Sequence, residues 1–176
     1  MTYAESIHER FKQSVIDGAR LIYAHQHGDI EPEKGCLYWA GAFNKSATAH
    51  GLNCLIQVGS AQFQYRADTD GVSNTHFSYM FDPMEAAVRI SKGLPPEMHA
   101  WNVVRNTQEI VDLTTGFQAE QARRMLGYEW EKEFALPEYF WGKPEGTRMI
   151  YLAHPMATMF GLQQLGTIRL SDGRRI

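Results

Sequence analysis

Near the N-terminus apolar residues recur at roughly helical spacing, with Ile7, Phe11, Val15 and Leu21-Ile22 on the period and Arg10, Lys12 and Asp17 off it. This predicts a long amphipathic helix over Thr2 to His25, weakened mildly by Gly18. Gln26 to Gly35 is a polar loop in which Pro32 blocks any continuing helix. A second helix is predicted from Cys36 to around His50-Gly51, where the glycine suits a C-cap. Leu37, Trp39, Ala40, Ala42 and Phe43 make that helix apolar almost all round, so it is expected to be central and buried.

Strand patterns follow. Leu52 to Val58 continues after Gly59 into Gln62 to Arg66, and a turn over Ala67 to Asn74 (with Asp68-Thr-Asp-Gly71) leads into Thr75 to Phe81. Asp82-Pro83 reads as the start of a short helix, Met84 to Ser91, ended by Gly93 and Pro95-Pro96. His99 to Val104 and Ile110 to Asp112, separated by the polar turn Arg105 to Gln108, predict a hairpin. A helix from Phe117 to Leu126 follows. Pro137, Gly142, Pro144 and Gly146 break up the last third, where Gly142 to Gly146 reads as a turn and Pro155 to Leu165 as a final helix. There is no repeat, low-complexity tract or linker, so one α+β domain over 1–176 is expected, with an antiparallel sheet packed on the helix that begins at Cys36.

The hairpin carries the chemistry. It brings the start of one strand beside the end of the other, placing the His99 imidazole near the Asp112 carboxylate. Trp101 lies on the same strand face as His99 and would shield the pair from water. Asp112 would accept the imidazole N–H and hold one tautomer; its plainer role is to cap the turn at Leu113-Thr-Thr. Cys36 stands at a helix N-terminus, where the helix dipole and a neighbouring imidazolium both favour the thiolate, and free backbone N–H groups can cradle an oxyanion. A buried helix-start cysteine is the alternative. Cysteine, histidine and aspartate together are the parts of an activated nucleophile.

Gly35-Cys36-Leu-Tyr-Trp-Ala, His99-Ala-Trp-Asn-Val-Val and Ile110-Val-Asp112-Leu-Thr114 together resemble the core of the transglutaminase-like superfamily, within the papain-like cysteine enzymes. The resemblance spans Gly35 to Thr115; the His-Ala-Trp and Asp-x-Thr hairpin is its specific part. It implies a papain-like fold with Cys36 as nucleophile, His99 as general base and acid, and Asp112 as the orienting carboxylate. Trp39, the aromatic behind the cysteine, and Trp101 are the candidate substrate-binding side chains. Leu113 replaces the family's usual proline, the aromatic after the cysteine is delayed to Tyr38 and Trp39, and no glutamine directly precedes Cys36; Gln26 is a remote substitute.

The remaining features narrow the class. A formal charge of -3 and a pI near 6.2 leave no basic footprint for nucleic acid. The basic cluster Arg169, Arg174 and Arg175 reads as solvated. No apolar run suits a membrane span or a secretory signal, so the expected location is cytoplasmic, or exported as an effector without a cleaved signal. Two cysteines do not make a disulfide framework, and Cys54 reads as a core residue. His25, His27, Asp29 and Glu31 match no metal-ligand spacing, and no metal or cofactor is expected. Trp130, Tyr139, Phe140 and Trp141 belong to core packing or line a groove. The sequence thus predicts a thiol-dependent acyl-transfer enzyme acting on an amide of a protein or peptide, such as a glutamine side chain. Hydrolysis is favoured over cross-linking. The alternative is a catalytically inactive binding module of the same fold.

Overall fold

The computed structural model describes residues 3–28, 30–31, 35–68 and 75–166. Most of the expected turn after Ala67, Pro32 and Asp29 in the polar loop, and the basic tail at Arg169, Arg174 and Arg175 lie outside the described residues.

Two antiparallel helices, α1 (Tyr3–His27) and α2 (Cys36–Ala49), pack along each other. The Tyr23 ring stacks on Trp39 at 3.9 Å between centroids, and the Ser46 hydroxyl donates to the Val15 carbonyl. α2 is apolar on nearly every side because it is sandwiched between α1 and the sheet. Its sheet-side contacts include Asn44 Nδ2 donating to the Cys54 carbonyl and Asn102 Nδ2 donating to the Ala40 carbonyl.

The sheet is α+β in class and antiparallel at every pairing. Its spine is β1 (Cys54–Gln64), which pairs with β2 (His76–Tyr79), β3 (His99–Val104) and, far along the chain, β6 (Met149–Ala153). β3 continues outward to β4 (Ile110–Asp112) and β5 (Phe140–Gly142). α3 (Pro83–Ser91) begins at Asp82, whose carboxylate accepts from the Met84 and Glu85 N–H groups, with Pro83 in the first turn. α4 (Gln118–Leu126) ends on Gly127 at φ 69°, a left-handed C-cap. α5 (Pro155–Gln164) follows β6.

In the sheet one expectation holds, the continuation of the first strand past Gly59, and one does not. β1 runs unbroken through Gly59, which gives up its side chain because a Cβ there would lie 2.1 Å from the Leu152 carbonyl oxygen of β6. The broken C-terminal third supplies two strands, β5 and β6, that its prolines and glycines concealed. Gly142 closes β5, and the expected turn follows it, with the Thr147 N–H donating to the Pro144 carbonyl. Cys54, at the start of β1, is half-buried and packs against the core from its edge.

Candidate active site

His99 opens β3 and Asp112 closes β4, so the antiparallel register of the hairpin sets the two side chains against each other. The imidazole Nε2 donates to Asp112 Oδ2 at 2.7 Å, with both side chains buried. Burial alone would lower the His99 pKa. The charge and hydrogen bond of Asp112, and those of Cys36, outweigh it and raise the imidazole to about 10. Burial alone would likewise push the Asp112 carboxyl up, but His99 and two hydrogen bonds from Thr114 hold it below the usual range. Each group therefore favours the charged form of the other, the imidazolium beside the carboxylate.

Asp112 is fully satisfied. Oδ1 accepts from the Thr114 N–H at 2.8 Å and the Thr114 hydroxyl at 2.7 Å, while Oδ2 accepts from His99 and from the Tyr151 hydroxyl at 3.0 Å. Four donors use all the lone-pair directions of one carboxylate. The capping role and the orienting role of Asp112 are thus taken by different oxygens.

Around this pair lies a wall of aromatic rings. Tyr79 stacks on the imidazole at 5.0 Å, Phe63 meets it edge-on at 5.5 Å, and Trp101 lies at 6.3 Å in a near-parallel plane. Tyr79 belongs to a longer circuit: its hydroxyl donates to Gln118 Oε1, and Gln118 Nε2 donates to the Thr114 carbonyl. Gln118 is almost wholly buried. Tyr79, Gln118 and Tyr151 carry no local motif, and only the tertiary arrangement gathers them at the histidine.

Cys36 is the first residue of α2 and is half-buried. It packs against a core cluster that includes Leu37, Ala40, Val58 and Ala100. The other ring nitrogen of His99, Nδ1, is buried and makes no well-formed hydrogen bond, and Cys36 is the group near enough to act on the ring by charge and hydrogen bonding. No side chain caps the helix at Gly35, which leaves the first-turn N–H groups of α2 without a side-chain acceptor from the cap. Gly35 itself is forced by Tyr23, whose hydroxyl would lie 2.4 Å from a Cβ at that position. Cys36, His99 and Asp112 are therefore brought together at one end of the α2–sheet interface.

The two tryptophans hold different places. Trp101 is 2 % exposed and packs beneath the histidine, offering no surface to a large ligand. Trp39 is half-buried against Tyr23. Both border the narrow gap between Cys36, Ala100, Asp112 and Thr114, which is too tight for a water molecule. The Gln26 side-chain oxygen is turned to the helix surface, where it accepts from Lys45 Nζ at 2.7 Å. Among the described residues no group of acidic, histidine or cysteine side chains is arranged to hold a metal. His27 meets Tyr38 in a tilted ring contact at 4.5 Å, and Glu31 pairs with Arg124 at 3.8 Å. A roomier cleft of about 480 Å³ lies elsewhere, between Lys12 and Glu9 of α1 and the segment Pro137 to Trp141. Trp130 is not part of it and packs by Tyr65. Among the described residues no helix is long and apolar enough to cross a membrane. Comparisons with protein-family models, with curated proteins and with solved structures returned no match.

Proposed function

We propose that the protein is a thiol-dependent acyl-transfer enzyme of transglutaminase-like, papain-like design, acting on an amide of a protein or peptide. The observation that carries this reading is the buried His99–Asp112 pair at 2.7 Å, with Cys36 close enough to act on the imidazole by its charge. A buried ion pair costs several kcal/mol in desolvation and is a weak stability device, so its presence beside a thiol favours a chemical role.

The proposed cycle follows from those positions. Cys36 Sγ attacks the amide carbon, forming an S–C bond while the carbonyl oxygen takes the electron pair and rests on first-turn N–H groups of α2. The C–N bond then breaks, and His99 Nδ1–H passes its proton to the departing nitrogen. The negative charge of the thiolate helps hold that proton on the ring. Once sulfur is acylated this support is gone, and the imidazolium becomes a stronger acid when the amine needs a proton. Water attacks the thioester, giving its proton to Nδ1, and the thiolate leaves. A glutamine side chain would be deamidated, and a peptide bond would be cut.

A second reading, an inactive binding module, is favoured by one observation: His99 is wholly enclosed and the gap beside Cys36 admits no water. The pH dependence of Cys36 alkylation by iodoacetamide separates the two, with Cys54→Ala as the background and near-UV circular dichroism as the control for folding. An enzyme reacts at pH values where an ordinary thiol is protonated, and slows by about tenfold or more in His99→Ala. A thiol that titrates like free cysteine and ignores His99 leaves the binding module.

A further inference from the structure

Tyr151, in β6, shares an acceptor with the histidine. Its hydroxyl donates to Asp112 Oδ2 at 3.0 Å, the same oxygen that takes His99 Nε2–H at 2.7 Å. The hydroxyl has one proton and one other acceptor in range, Met149 Sδ at 3.7 Å, which is far weaker than a carboxylate. The ring cannot easily turn away, because Trp101 lies 5.1 Å from it and Phe140 stacks on it at 6.5 Å. β6 is locked to β1 by the Ala61↔Tyr151 pairing. Burial and the charge of Asp112 both raise the Tyr151 pKa, so the hydroxyl stays a neutral donor.

We propose that Tyr151 is a positioning residue: by occupying half of Asp112 Oδ2 it keeps the shared proton on His99 Nε2 and so leaves Nδ1 to exchange protons with Cys36. A carboxylate oxygen facing one donor competes for that donor's proton, and a second donor on the same oxygen weakens the competition. Thr114 does the same for Oδ1 from the adjacent backbone. Tyr151 does it from a strand that joins the sheet last. The titratable groups facing Asp112 are His99 from β3, Tyr151 from β6 and Tyr79 from β2, with Cys36 from α2 beyond the ring. The inference rests on the triad reading for its catalytic meaning, but its test does not depend on Cys36 being reactive.

The test is the titration of Asp112 followed by NMR of its labelled side-chain carboxyl carbon in the parent, Tyr151→Phe and Phe140→Leu proteins. Tyr151→Phe keeps the ring and removes one donor, so the titration midpoint is expected to rise by about one pH unit. The acid limit of Cys36 alkylation is expected to rise with it. Phe140→Leu disturbs the packing of Tyr151 without removing a bond, and leaves both unchanged. A midpoint that stays put in Tyr151→Phe, or moves equally in Phe140→Leu, overturns the proposal. Should Tyr151→Phe fail to fold, the parent protein decides: a nuclear Overhauser contact between the Tyr151 hydroxyl proton and His99 Nε2–H supports the shared oxygen, and its absence overturns it. A moved midpoint with an unreactive Cys36 would leave Tyr151 in place and remove the enzyme reading.

Discussion

A fully buried imidazolium is tolerated at His99 only because Asp112 lies against it, and this ties the residue to the pH dependence of folding. His99 has a folded pKa raised from 6.5 to about 10, so the native state binds more protons than the unfolded chain between those values. Its contribution to stability is complete below the unfolded pKa and is lost as pH rises through the folded one. Asp112 has the opposite sign: its depressed pKa contributes stability above the unfolded carboxyl pKa, lost as pH falls through the folded value. Urea midpoints are therefore expected to decline from about pH 6.5 to 10 in the parent, and the part of that decline below pH 9, where Cys54 adds nothing, is expected to be absent from His99→Ala. A parent curve flat over that window would refute the ion pair. Asp112→Asn leaves the cation without a countercharge and is expected to destabilise the fold by about 3–5 kcal/mol near neutral pH, measured in the same titrations.

At the scale of elements, local patterns were good guides wherever periodicity was strong. The hairpin of His99 to Val104 and Ile110 to Asp112 and the helix beginning at Cys36 occupy the residues their alternation and apolar faces indicate. Because three site residues sit at the ends of those elements, the geometry of the pair was legible in sequence. What was not legible has a physical cause. β6 buries only Met149 fully, so its residues show no clean in–out alternation, and the prolines and glycines before it read as loop. Tyr151, Tyr79 and Gln118 reach the site through sheet pairing and packing across long sequence separations, which no window along the chain can see. Trp101 did fall on the face of His99, but its burial depends on the layer above it. The strand was expected to continue past Gly59, but no local pattern shows that its lack of a side chain is what lets β6 approach β1. Gly59→Ala is therefore expected to destabilise by about 1–3 kcal/mol or more, since the Leu152 carbonyl is backbone and cannot swing aside. Chemical denaturation checks this, and an alanine variant as stable as the parent would mean that β6 is not held there.

For the whole molecule, the site is where three separately built parts meet: the α1–α2 pair, the β3–β4 hairpin and the late strand β6. Each supplies something the others lack, respectively the thiol, the ion pair and the Tyr151 donor. α1 takes part without touching the chemistry, since Tyr23 fills the space at Gly35 and stacks on Trp39. The placement of the two cysteines in this assembly has a practical result. Cys36 stands at the junction of the parts, whereas Cys54 stands at the far end of β1, where burial raises its thiol to about 11 and so keeps it slow to react. One chain thus holds two chemical clocks. In a pulse of alkylating reagent during refolding, Cys54 times the packing of β1 against the α1–α2 layer, and Cys36 times the arrival of His99 beside the start of α2. The order in which Cys54 falls silent and Cys36 changes its rate would tell which of the two contacts forms first.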